Sequence, residues 1–161
     1  DRQIESIAVI GLGLIGASFA GAYRKAYPDA PILGVDVSQE AIDELLDRGW
    51  ITQGFGPNAL NFLKAQYVRL VVIATPVGSV PEYFRMLADC DYQGIITDTC
   101  STKAQIVEEA QAILPHLDHF IPGHPMAGSE KSGVTGSRDN LFENAHWVLC
   151  LMSILRPMPS R

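Results

Sequence analysis

The chain predicts a doubly wound α/β domain built on a mostly parallel sheet with helices on both faces. Three observations carry that expectation. Short β-rich runs alternate with longer helical segments along most of the length. Runs such as Ile7-Ala8-Val9-Ile10 and Leu70-Val71-Val72-Ile73-Ala74 are apolar without interruption, the mark of parallel strands covered on both faces. Residues with chemistry to offer follow directly after such runs, where a parallel sheet gathers its carboxyl ends along one edge.

The elements follow in order. Ile7 to Ile10 is the first strand, and a helix runs over roughly residues 14 to 26. Pro31 to Asp36 is the second strand. Ser38 suits the N-cap of the next helix, which carries Ile42, Leu45 and Leu46, and Gly49 suits its stop. Residues 51 to 66 are less regular, with a turn at Gly54-Phe55-Gly56-Pro57 and a short helix. Leu70 to Ala74 is a strand, Pro81 to Ala88 a helix and Gly94 to Asp98 a strand. Ser101 to Leu114 is a helix ended by Pro115, Phe120-Ile121 is a short strand, and His146-Trp147-Val148-Leu149 is a final one. This organisation predicts one domain over residues 1–150. Residues 151–161 contain two prolines and no clear element, and read either as a tail or as the start of a second domain.

Composition narrows the function. A chain of 161 residues, 47% hydrophobic and 19% charged, is long enough to bury a real core. The net charge of −6 and the absence of any basic run argue against nucleic acid, whose backbone contacts need clustered Lys and Arg. No apolar stretch approaches the length needed to cross a bilayer. The segment Asp1-Arg2-Gln3-Ile4-Glu5 lacks the pattern of a secretory signal. Cys90, Cys100 and Cys150 are odd in number and lack CxxC spacing, so they read as reduced thiols in a cytoplasmic protein, with no metal site.

Gly11-Leu12-Gly13-Leu14-Ile15-Gly16 is G-x-G-x-x-G. It follows a strand, opens a helix and has Asp36 twenty residues beyond its last glycine, the full setting of a dinucleotide fingerprint. Gly11 permits the tight turn and Gly13 the close approach of a pyrophosphate. Leu14, Ile15 and Gly16 open the helix whose N-terminus stabilises phosphate charge, and Gly16 lets that helix pack closely on the strand. The Asp36 carboxylate can accept from the adenosine ribose hydroxyls and would repel a 2′-phosphate. No Arg stands in Val37-Ser38-Gln39-Glu40 to hold one. The fold is therefore Rossmann-type and the expected cofactor is NAD rather than NADP. Thr75 and Pro76, in the turn after residues 70–74, are expected beside it, although a plain strand-to-helix turn fits the same residues.

Two further strand ends bring Ser101 and His124 toward the same edge. A histidine near its ordinary pKa can take or share a substrate hydroxyl proton while hydride leaves the same carbon, although a structural loop histidine fits the same residue. Ser101 is expected either to contact that hydroxyl and the imidazole or to cap its own helix. Glu130 faces a substrate entrance or pairs with Lys131 or Lys103. His116, His119 and His146 read as solvated or structural, and nothing marks Cys100 as a nucleophile.

The pieces Gly11 to Ser18, Ala74-Thr75-Pro76-Val77, Asp98 to Lys103, Gly123-His124-Pro125-Met126-Ala127-Gly128-Ser129-Glu130-Lys131-Ser132-Gly133 and Leu141 to Ala145 resemble the prephenate/arogenate dehydrogenase family of tyrosine biosynthesis. The glycine fingerprint is shared by many dehydrogenases, whereas the His-Pro-Met-Ala-Gly-Ser-Glu run is specific. The likeness spans roughly residues 5 to 149. It implies NAD-dependent oxidative decarboxylation of prephenate or arogenate. It assigns His124 and Ser101 to the catalytic contact with the substrate hydroxyl, and Ser129 and Glu130 to the substrate pocket. Family members continue into a helical domain that forms a homodimer and supplies an arginine for the substrate carboxylate. Cys150-Leu151-Met152-Ser153-Ile154-Leu155 departs from that continuation. The expectation is a chain that binds NAD and turns substrate over poorly by itself. Two alternatives stand beside it: another Rossmann hydroxyacid dehydrogenase, and a non-catalytic NAD-binding module.

Overall fold

A computed structural model describes residues 6–59, 68–100 and 102–123. Six strands form one sheet: β1 (Ile7–Ile10), β2 (Ile32–Val35), β3 (Gln53–Phe55), β4 (Leu70–Ile73), β5 (Ile95–Asp98) and β6 (Phe120–Ile121). Among the described residues four helices connect them: α1 (Leu14–Ala26), α2 (Gln39–Arg48), α3 (Val80–Asp89) and α4 (Lys103–Ile113). The order across the sheet is β3-β2-β1-β4-β5-β6, and every pairing is parallel. The chain winds outward from β1 through β2 to β3, then returns to the other side of β1 and winds outward again. That reversal opens a crevice between the carboxyl ends of β1 and β4.

Alternation along each strand divides the core in two. Ile7 and Val9 of β1, with Leu70 and Val72 of β4, join Phe19, Ala20 and Tyr23 of α1 and Ile42 and Leu45 of α2. Ala8 and Ile10, with Val71 and Ile73, join Val80, Phe84 and Leu87 of α3 and Ile106 and Ala110 of α4. With both faces covered, every residue of β1 is fully buried. Each large apolar side chain removed from water contributes about 1.5–3 kcal/mol. The rings of Phe84 and Phe120 meet edge to face, 5.3 Å between centroids, and join α3 to the end strand β6.

The expected strands and helices are present, with ends moved by one or two residues. Ser38 caps α2, its hydroxyl accepting from the Ala41 amide at 3.2 Å, and Gly49 closes that helix in the left-handed region at φ 72°. Two expectations need correction. Gly54 and Phe55, read as part of a turn, belong with Gln53 to edge strand β3: its residues pair with Leu33, Gly34 and Val35, and the Asp36 amide donates to the Phe55 carbonyl at 3.1 Å. The N-cap of α4 is Thr102 rather than Ser101, and it makes no side-chain capping bond. The helix expected within residues 60–66, the strand over residues 146–149, Cys150 and the tail of residues 151–161 lie outside the described residues.

Candidate nucleotide-binding site

The turn between β1 and α1 is tightly determined. Gly11 has φ +95°, and its amide donates to the Val35 carbonyl at 2.7 Å. A Cβ at Gly11 would stand 2.8 Å from the carbonyl carbon and oxygen of Ala74, and one at Gly16 would overlap the Gly11 carbonyl oxygen. Any larger residue at either position forces α1 away from the sheet. Gly13 differs from both: a Cβ there would meet no atom within 4 Å, so the backbone borders open space.

That space lies over the N-terminus of a 13-residue helix. Gly13 is its N-cap, with no side-chain capping bond and no acidic residue in the first turn, while Arg24 and Lys25 occupy the last. The charges complement the dipole at the carboxyl end and leave the amino end open to an anion.

Asp36 stands immediately after β2 and is half-buried. Its Oδ2 accepts from the Leu12 amide at 2.7 Å and its Oδ1 from the Ser38 amide at 2.8 Å. Sequence reasoning assigned this carboxylate to a ribose. The structure adds a second task, because the same group fastens the glycine turn to β2. Each oxygen keeps a further lone pair, so acceptor capacity remains. Val37 beside it is 82% exposed.

Thr75 and Pro76 stand at the carboxyl end of β4, against the glycine turn. The Ala74 amide donates to the Ile10 carbonyl at 2.7 Å, and Thr75 Cγ2 would lie 3.0 Å from a Cβ on Gly11. Thr75 Oγ1 is buried and has no hydrogen-bond partner among the described residues. An open patch over Gly13, an uncapped helix terminus, a fixed carboxylate and an orphaned hydroxyl share one sheet edge. These features fit a dinucleotide.

The next strand end carries a cluster that sequence reasoning did not single out. Asp98, wholly buried, accepts from the Cys100 amide, the Lys103 ammonium and the Gly123 amide. Lys103 therefore pairs with Asp98, and the alternative partner Glu130 lies outside the described residues. A signal was available: a carboxylate closing an apolar strand, five residues before a lysine at a helix start. The Cys100 thiol is pushed up to about 11, by burial first and then by the Asp98 charge, against an opposing effect of Lys103. It is a neutral thiol at ordinary pH, in keeping with its reading as no nucleophile. Ser101, His124, Ser129 and Glu130 lie outside the described residues. Their neighbours Cys100, Thr102 and Gly123 stand at the ends of β5, α4 and β6. Among the described residues no cluster of three or more His, Cys, Asp or Glu could hold a metal, and no helix is long and apolar enough to cross a membrane.

Comparison with known proteins agrees with this geometry. The chain is similar to the prephenate dehydrogenase of Bacillus subtilis (strain 168), 39% identical over 152 residues, which cover 92% of this chain and 40% of that protein. The chain thus spans about two fifths of that relative. Its fold matches a crystal structure of prephenate dehydrogenase from A. aeolicus in complex with hydroxyphenyl propionate and NAD+, with TM-score 0.73 and 30% identity over 88% of this chain and 49% of that one. It also matches Synechocystis arogenate dehydrogenase, with TM-score 0.70 and 29% identity over 93% of this chain and 55% of that one. The family model for the prephenate dehydrogenase nucleotide-binding domain matches residues 19–153. With its glycine turn, fixed carboxylate and parallel sheet, the chain belongs to the family of prephenate dehydrogenase nucleotide-binding domains.

Proposed function

We propose that this chain is the NAD-binding part of a dehydrogenase that oxidatively decarboxylates prephenate or arogenate. The observation that carries the cofactor assignment is Asp36, half-buried at the crevice with both oxygens held by backbone amides beside the uncapped N-terminus of α1. A carboxylate so placed accepts from vicinal ribose hydroxyls and repels a 2′-phosphate, which selects NAD over NADP. The Gly13 patch and the first turn of α1 would hold the pyrophosphate, and Thr75 and Pro76 would stand beside the same ligand.

Bound NAD+ supplies the acceptor for hydride from the ring carbon that bears the hydroxyl. This chain's residues supply position and a proton site. His124 polarises the hydroxyl, taking or sharing its proton as that carbon is oxidised and returning it to the oxygen when the ring becomes aromatic, and Ser101 supports the contact. The ring carboxylate leaves as CO2 and its electron pair completes the aromatic ring, which makes the step effectively irreversible. Ser129 and Glu130 border the substrate. Family resemblance assigns these four residues their roles, and holding the two reactants together supplies much of the rate. The family's homodimer and its substrate arginine belong to the same proposal, as does a cytoplasmic location.

Mixing the chain with NAD+ and either prephenate or arogenate, while following NADH absorbance and CO2, tests the reading. NADH with matching CO2 supports it and identifies the preferred acid. NADH without CO2 would transfer the chain to the hydroxyacid dehydrogenases. Absence of any NAD+ binding in a direct titration would overturn it.

A further inference from the structure

Asp98, the last residue of β5, has no exposed surface. Its Oδ2 accepts from the Cys100 amide at 2.9 Å and from Lys103 Nζ at 2.5 Å, and its Oδ1 accepts from the Gly123 amide at 2.9 Å. Three stretches of chain therefore meet on one side chain: the turn after β5, the first residue of α4 and the loop after β6. The ladder between β5 and β6 ends where Thr97 stands opposite Ile121. Beyond that point the bond from Gly123 to Asp98 continues the attachment by a side chain instead of the backbone.

The clamp is directional. Lys103 opens α4, where the helix dipole disfavours a cation, and its side chain is only 23% exposed. The Asp98 charge compensates it there. With Oδ2 engaged by Lys103 and Cys100, the carboxylate is held in one orientation and Oδ1 is presented to Gly123. The residue that follows Gly123 in the sequence is His124.

We infer that Asp98, oriented by Lys103, is a positioning residue for the proton-handling step: it fixes the chain at Gly123, the residue that precedes His124 in the sequence. This deepens the function proposed above and rests on its reading of His124. The consequence is large, because displacing a reacting group by about 1 Å can cost on the order of 100-fold in rate.

Two double variants test it. Lys103→Met with Asp98→Asn removes both charges and keeps one acceptor oxygen, for which the Gly123 and Cys100 amides compete. Lys103→Met with Asp98→Leu has nearly the same shape and no acceptor. Neither leaves a buried charge unpaired, so both retain the fold. Hydrogen exchange at the Gly123 amide and the NMR resonances of the His124 imidazole report on the tether without needing turnover. With one oxygen for two backbone amides and no lysine to orient it, the Asn variant is expected to fall between the parent and the Leu variant in both. The Leu variant is expected to exchange about tenfold faster at Gly123 and to shift the His124 resonances, while NAD+ affinity is equal in the two. Identical His124 resonances in the Asn and Leu variants overturn the inference, whatever the Gly123 amide does. If the unmodified chain binds no NAD+, the functional proposal fails instead, and the Asn and Leu comparison still decides the tether.

Discussion

At the scale of single residues, the site depends on groups that do two things at once. Asp36 holds Leu12 and Ser38 and keeps lone pairs for a ligand. Asp36→Ala is therefore expected to weaken NAD+ binding on the order of 10- to 100-fold, read by titration, with thermal unfolding reporting any loosening of the turn. Gly16 is constrained by contact rather than by charge, since a Cβ would enter the Gly11 carbonyl oxygen. Gly16→Ala should cost about 1–3 kcal/mol in chemical denaturation, and an unchanged midpoint would contradict the packing described. Cys100 makes a prediction in pH. Its folded pKa, about 11, lies above the ordinary value of 9.0, so the native state keeps a proton that the unfolded chain releases. The stability this contributes is complete below pH 9 and is lost as pH rises toward about 11. Cys100→Ala should flatten that part of the stability profile.

At the scale of elements, local chemistry decides some boundaries and neighbours decide others. The limits of α2 were legible because Ser38 and Gly49 act within a few residues of their own positions. Ser38→Ala should cost about 1 kcal/mol yet leave NAD+ affinity unchanged, because the bond to Asp36 comes from the Ser38 backbone amide. A fall in affinity larger than the loss of stability explains would show that the hydroxyl itself matters at the site. Edge strand β3 was not legible. Gly54, which weakens a strand and suggests a turn, stands where a Cβ would overlap Ile42 Cγ2 of α2. The strand exists because β2 offers it a ladder. Nor was the start of α4 legible to the residue, since Thr102 makes no capping bond to mark it.

At the scale of the whole molecule, the parallel order among the described residues puts β1 and β4 at the centre and β3 and β6 at the edges. Amide exchange should be slowest in β1 and β4, whose residues are essentially unexposed, and fastest in the two edge strands. Comparable protection in β3 and β1 would contradict this order of stability. Phe84→Ala should cost about 3–5 kcal/mol, because the ring is wholly buried and joins α3 to Phe120 of β6.

The sequence by itself determined the fold class, the glycine turn and the carboxylate that follows the second strand. Each is written in short-range spacing: apolar runs of strand length, three glycines, and an aspartate one strand later. His124, Ser101, Ser129 and Glu130 were named from pattern and resemblance alone, and their placement lies outside the described residues. Tertiary structure alone decided that Leu12 and Ser38 share one carboxylate, that Gly54 belongs to a strand, and that Asp98 gathers Cys100, Lys103 and Gly123. These contacts join residues whose separations follow no period. Only folding of the sheet brings their ends to one edge, where a buried carboxylate must find every donor within reach.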